Sequence, residues 1–261
     1  MRLVIEDVSK TYRDRGGQWV EALAGVSMTV EPQEVVAVVG PSGCGKSTLL
    51  NIVAGLLPAS SGRVYYEGGG ESGRPLSAMV FQEFALFPWR TVTQNICFGL
   101  EEQGMPASQR RQVAHQFTDL VGLTGFEDKF PHQLSGGMRQ RVGIARALAV
   151  NPHLLLMDEP LSALDAQARA LMQVELLRIW EKTRKGILYV THSIPEAVLL
   201  ADRVAVFSRR PGRPRALLPV PIPRPREETT QADKVFLDLV EQIWGLIKGE
   251  AAEALLTSLS P

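Results

Sequence analysis

Along this chain, short continuous apolar runs alternate with segments whose apolar residues recur at helical spacing. Glu34 to Val39, Leu154 to Met157, Ile187 to Thr191 and Val204 to Phe207 are apolar without alternation, the pattern of strands buried on both faces. Between them, Lys46 to Ala54, stopped by Gly55, and Ala166 to Lys185 read as helices. Strand, helix, strand over most of the chain predicts an α/β fold with a mainly parallel sheet. Ahead of it, Leu3 to Val8 and Ala24 to Val30 predict strands of an antiparallel, β-rich entry region. From about Pro106 to Val150 the alternation breaks, with helical patterns such as Arg110 to Val121 and no convincing strand, which predicts a helical subdomain. The stretch Phe84 to Val92, FALFPWRTV, fits neither period, and its apolar surface calls for a purpose.

Two C-terminal features stand apart. Arg209 to Pro225 is dominated by arginine and proline, a composition that favours an extended, weakly folded connector. Beyond it Val235, Phe236, Leu239, Val240, Ile243, Trp244 and Ile247 share helical spacing, predicting an amphipathic helix that covers its own domain or a partner. No internal repeat is visible.

Composition narrows the possibilities. The 261 residues suit one large domain or a domain with subdomains. Lysine plus arginine number 28, equal to aspartate plus glutamate, so the overall charge advertises neither a nucleic acid nor an anionic membrane. Cys44 and Cys97 lie far apart without metal-ligand spacing, which suits a reducing compartment. Glu6 and Asp7 interrupt the place where an export signal needs an apolar core, and no apolar run approaches the ~18 residues of a spanning helix.

The chemistry begins at Gly40 to Ser47, GPSGCGKS, which fits the phosphate-binding loop and stands between a strand and a helix as that loop requires. Its glycines let backbone N–H groups curl around a β-phosphate, and the helix N-terminus adds partial positive charge. Lys46 is suited to the β- and γ-phosphates and Ser47 to Mg²⁺; Gly40, Pro41, Ser42, Gly43, Cys44, Gly45 and Thr48 complete the nucleotide set. A second element, Leu154 to Pro160, is an apolar strand ending in adjacent carboxylates, Asp158 and Glu159. Alternation along a strand would point them differently, leaving Asp158 to hold a metal and Glu159 to polarise the water attacking the γ-phosphate. Alone, such a pair is more often a solvated turn; beside a phosphate loop the catalytic role prevails. Between the two lies Leu134 to Arg141, LSGGMRQR, where Ser135 can cap the following helix and Gly136 and Gly137 leave its first N–H groups open to an anion.

In that order, GPSGCGKS, LSGGMRQR and LLLMDEP resemble the ATP-binding cassette of ABC transporters. The resemblance implies a P-loop NTPase cassette: a RecA-like parallel sheet core with an antiparallel β subdomain and an inserted α-helical subdomain. It also implies a head-to-tail pair of cassettes, each ATP lying between the phosphate loop of one and the LSGG helix of the other. By the same resemblance Tyr12 stacks on adenine, although a half-buried strand tyrosine is an alternative reading. Gln82 would touch Mg²⁺ and the attacking water, Ser162 to Asp165 would form the loop that crosses the dimer interface, and His192 would contact the γ-phosphate. Ser193 departs from the aspartate that many cassettes carry there. The similarity covers roughly residues 1–210, with the helical subdomain at about 90–150, and leaves 211–261 as the connector and amphipathic helix.

One cassette without spans or a long coiled-coil insertion resembles a separate importer ATPase, bound peripherally at the cytoplasmic face of the cell membrane. Its implied partners are transmembrane permease subunits and, indirectly, a periplasmic or lipid-anchored solute-binding protein, with no nucleic acid. Within importers, LFPWRTVTQNICFGL, THSIPEAVLLADRV and SRRPGRP resemble the nitrate/sulfonate/taurine group, which also spans bicarbonate and pyrimidine vitamin precursors. Polyamine and sulfate importers usually add a longer C-terminal domain. FALFPWRTV would then supply Phe84, Leu86, Phe87 and Trp89 as walls of a groove for a permease helix, or else pack them into the core.

Overall fold

The computed structural model describes residues 1–14, 16–68 and 73–258, the side chains of 249–258 excepted. In chain order the elements are Arg2–Arg13 (β1), Trp19–Val30 (β2), Val35–Val39 (β3), Lys46–Val53 (α1), Ser61–Glu67 (β4), Ser77–Val80 (β5), Val92–Glu102 (α2), Ala107–Leu120 (α3), Gly136–Ala149 (α4), Leu154–Asp158 (β6), Ala166–Thr183 (α5), Gly186–Val190 (β7), Ile194–Leu200 (α6), Arg203–Phe207 (β8), Pro214–Pro219 (β9) and Lys234–Ser258 (α7). They fall into two contact-dense units, Met1–Gly68 with Gly186–Pro261, and Gly69–Lys185.

In the first unit, β3 lies between parallel neighbours β7 and β8, with Val36 opposite Leu188 on one side and Arg203 on the other. All five residues of β3 are buried, which explains why the strand carries valine and alanine with no polar alternation. The entry region is antiparallel as expected: β1 pairs with β2 on one side and with β4 on the other. Gly62 in β4 fits there because a Cβ would come within 2.2 Å of the Asp7 carbonyl oxygen.

The arginine- and proline-rich segment departs from the sequence expectation. Instead of a weakly folded connector it forms β9, antiparallel to β8, with Ala205 opposite Leu217. Alternation decides this: Pro214, Ala216 and Leu218 face inward while Arg215, Leu217 and Pro219 face outward, and the prolines stand at the strand ends, where a lost N–H donor is tolerated. Gly212 in the preceding turn donates its N–H to Ala22 and accepts from the Ala24 N–H, bonds a composition argument cannot see. Farther on, α7 packs on α6 and β8, burying Phe236, Leu239 and Ile243 in its own unit.

The second unit has parallel β5 and β6 in register, Val80 opposite Met157, and mutually packed α2, α3 and α4. Thr91 caps α2 through a capping box, its hydroxyl accepting from Gln94 N–H while the Gln94 side chain accepts from Thr91 N–H. Among the described residues no helix is long and apolar enough to cross a membrane.

Candidate functional site

The predicted residues occur as two sets, one in each unit. In the first, parallel pairing sets Val38 opposite Val190, and the Thr191 N–H donates to the Val38 carbonyl at 3.2 Å. The loops starting at Gly40 and His192 therefore leave the sheet at the same carboxyl end, where open parallel sheets bind ligands. Gly43 and Gly45 adopt positive φ, and a Cβ on Gly45 would lie 2.7 Å from the Ala22 carbonyl oxygen, so only glycine fits both conformation and space. Gly40 is close to Phe207 and Cys44 as well, each about 3 Å from where a Cβ would sit.

Lys46 is 5% exposed, and its ammonium donates to the Gly40 and Pro41 carbonyls at 2.9 and 3.2 Å. Those bonds hold a cation over the loop whose N–H groups are suited to phosphate. Ser47 is exposed on the first turn of α1 and Thr48 is half-buried behind it. The Tyr12 hydroxyl donates to Thr48 Oγ1 at 3.5 Å and the residue is 39% exposed, so the tyrosine stands beside the opening of α1 rather than in the core. His192 is exposed. Ser193 N-caps α6 by accepting from Glu196 N–H, a job aspartate performs equally well, so this departure from many cassettes leaves the helix start intact.

In the second unit the Val80 and Met157 register brings Gln82, exposed, to the same strand end as Asp158 and Glu159. Asp158 closes β6 at 8% exposure. Glu159 lies beyond the strand, at φ 43, so a left-handed turn rather than strand alternation sets its direction. For a non-glycine residue that conformation costs roughly 1–2 kcal/mol. Ser162 offsets it by donating both its N–H and its hydroxyl to the Glu159 carbonyl, at 3.1 and 2.8 Å.

Ser135 caps α4 by accepting from Met138 N–H at 3.3 Å, and Gly136 and Gly137 form the first turn behind it. A Cβ on Gly136 would meet Leu164 at 3.3 Å, which places this helix start beside the Ser162 to Asp165 loop. Together they edge an open cavity of about 560 Å³ lined by Ser135, Gly136, Gly137, Arg141, Leu164 and Asp165 among others. A helix N-terminus, an arginine and small residues suit an anionic group there.

The FALFPWRTV stretch divides. Phe87 is half-buried against Phe98, with ring centroids 4.5 Å apart, and Arg90 and Arg146 stand over it. Trp89 is 71% exposed. Asn95, fully buried, fixes the turn: its Oδ1 accepts from Phe87 N–H, and its Nδ2 donates to the carbonyls of Phe87, Arg90 and Thr91. Arg90 adds an ion pair with Glu101 at 2.8 Å. Burial pushes the neighbouring Cys97 thiol above its ordinary pKa, with the Glu101 charge adding to the effect, so this cysteine is a packing residue.

Sequence reasoning missed Asn95, Gly212 and the arginines of the C-terminal arm. Only the Thr91 and Gln94 spacing around the turn carried a local signal.

Comparison with known proteins identifies the family. The family described as ABC transporter matches residues 23–162. An uncharacterized ABC transporter ATP-binding protein of Methanocaldococcus jannaschii is 45% identical over 256 residues, 98% of this chain and 94% of the relative. A taurine import ATP-binding protein of Escherichia coli is 48% identical over 214 residues, 82% of this chain and 83% of its own length. Among solved structures, a bacterial ABC transporter cassette in dimeric form superposes with a TM-score of 0.72 at 32% identity, covering 84% of this chain and 98% of the cassette. The same cassette in a post-hydrolysis dimer bound to ADP and Pi matches equally well.

Proposed function

The chain belongs to the ABC transporter family and is an ATP-binding, ATP-hydrolysing cassette, and from that premise we propose that it energises an importer for a small anionic or zwitterionic solute such as nitrate, a sulfonate or taurine. The observation carrying this reading is the register of the two parallel pairs. It sends the phosphate loop and His192 from the carboxyl end of the β3 and β7 pair, and Gln82, Asp158 and Glu159 from the carboxyl end of the β5 and β6 pair. Lys46 and the loop N–H groups bind the β- and γ-phosphates, Tyr12 stacks on the adenine, and His192 contacts the γ-phosphate. Glu159 accepts a proton from the attacking water as it approaches in line, the phosphoanhydride bond breaks, and ADP leaves with inorganic phosphate.

The donors Ser47, Gln82 and Asp158 are oxygen ligands with one full negative charge, which fits Mg²⁺ held largely through water and nucleotide oxygens. When bound, the ion neutralises phosphate charge; the chain's part is to hold and orient it.

Two copies pair head to tail, with Ser135, Gly136 and Gly137 of one facing the nucleotide of the other. ATP binding closes the pair and hydrolysis reopens it. The nucleotide-handling residues lie within 1–210, and 211–261 is an attachment to that cassette. The dimer sits peripherally on the cytoplasmic face of the membrane, docked on permease subunits fed by a solute-binding protein. Trp89, raised on a turn that Asn95 makes rigid, is the anchor offered to the permease, whereas Phe87 serves the cassette's own packing. Relatives named for taurine import support the solute class.

Pull-down of the tagged chain from solubilised membranes tests the transport role. Recovery of a hydrophobic permease is the expected result; recovery of DNA or ribosomes instead would reassign the chain to a non-transport ATPase.

A further inference from the structure

The C-terminal arm holds a buried arginine whose position connects it to the nucleotide site. Helix α6 is seven residues long and starts immediately after His192 and its capping neighbour Ser193. Its far end leaves backbone carbonyls that no intrahelical N–H can reach. Arg226, 4% exposed, donates from Nη1 to the carbonyls of Val198, Leu199 and Ala201 at 3.3, 3.1 and 2.6 Å. Its Nε and Nη2 donate to Ile222 in the arm itself, at 3.1 and 2.9 Å. Arg224 takes the remaining carbonyl, Leu200, through Nη2 at 2.8 Å, and its Nε donates to Asp202 Oδ1 at 2.9 Å.

Asp202 carries the connection onward. Its other oxygen accepts from Val35 N–H at 2.8 Å, at the start of the strand that leads to the phosphate loop. At the opposite end of α6, buried Glu196 accepts from the Tyr189 hydroxyl at 2.8 Å, fastening the helix to β7 just before His192. A short helix fixed at both ends moves as a rigid piece, and the residue before its cap moves with it.

A merely apolar plug would fill the same volume as Arg226. A cation is costlier there: burial and the nearby Arg224 push the guanidinium down to about 10, with Asp202 opposing them. What the cation supplies is a planar fork that meets several carbonyls at once and complements the negative end of the helix dipole.

We propose that Arg226, assisted by Arg224, is a positioning residue for His192, so that the C-terminal arm sets the geometry of the γ-phosphate contact through α6. This rests on the reading of His192 given under Proposed function. No contact of Arg226 with nucleotide is involved.

The test is a double-mutant cycle on the full chain, reading steady-state ATP hydrolysis and ATP affinity. Arg226→Lys keeps the charge but loses the fork. It should lower kcat about tenfold, since small misplacement of a catalytic contact is costly, while KM for ATP changes by less than about twofold. In a His192→Ala background the same change should add less than about twofold, because both act through one contact. If Arg226→Lys leaves kcat unchanged, or its loss multiplies in full with that of His192→Ala, the positioning role is overturned while the His192 reading stands. If His192→Ala itself leaves hydrolysis unchanged, the His192 reading fails and the positioning role falls with it. Should Arg226→Lys lose its cooperative thermal transition, Arg224→Gln, which removes one helix carbonyl bond, carries the same cycle with the same two outcomes.

Discussion

The phosphate loop and the turn that precedes β9 are both short, rich in glycine and proline, and set against the same backbone, yet only one announces itself. GPSGCGKS matches a phosphate-loop pattern whose spacing answers to a ligand of fixed shape. RRPGRP reads as linker because its partners are elsewhere in the chain: a Cβ on Gly212 would lie 2.0 Å from the Cys44 carbonyl oxygen, so the turn is pressed against the phosphate loop. Chemistry directed at a small molecule is written locally, whereas support for that chemistry is written in the fold.

This contrast can be broken by substitution. The largest effect on the isolated chain belongs to Lys46→Ala, which should cost about 3 kcal/mol or more of ATP affinity by removing a buried cation from the phosphates. Equilibrium binding of a labelled ATP analogue checks it, and near-normal affinity would detach Lys46 from the nucleotide. Next comes Gly212→Ala. Overpacking against the loop should cost roughly 1–3 kcal/mol of stability in a thermal melt, and ATP affinity should fall with it; a Gly212→Ala chain that binds ATP normally would return the turn to the role of linker.

Asn95→Ala sharpens the comparison from the other unit. It strips the FPWR turn of its internal partner and leaves the Phe87 N–H without its acceptor, costing about 1–3 kcal/mol. ATP affinity should stay unchanged, since the residue holds the FPWR turn and bonds no part of the phosphate loop. Trp89→Ala should move stability least, within about 0.5 kcal/mol for so exposed a side chain. Yet it should weaken capture of the permease by tenfold or more, as a lost interface anchor does. Equal capture by the Trp89→Ala chain would remove the tryptophan from the interface.

Much of the molecule was legible for the same local reason. The buried strands β3, β6, β7 and β8 were readable because their apolar runs are continuous, and the phosphate loop, the capped SGG helix and the paired carboxylates because their spacing is chemical. β9 was not, because its inward Pro214, Ala216 and Leu218 alternate with an arginine and a proline that composition alone assigns to solvent. Sequence patterning does not mark β4 and β5 either, the first because it opens with Ser61 and Gly62 and the second because it is only four residues long. Nor could sequence reveal that Glu159 turns left-handed, that Asn95 fixes the turn just ahead of its own helix, or that Gly212 and Arg226 each hold a segment remote from itself. Those roles depend on which backbone carbonyls end up nearby, and no periodicity encodes that.

The central claim, that this chain hydrolyses ATP with Glu159 acting on the attacking water, is tested most directly by Glu159→Gln, comparing phosphate release with ATP binding. The account predicts unchanged ATP affinity and turnover reduced on the order of 100-fold or more, the usual worth of a general base. Glu159→Gln protein that released phosphate at near the wild-type rate would contradict it.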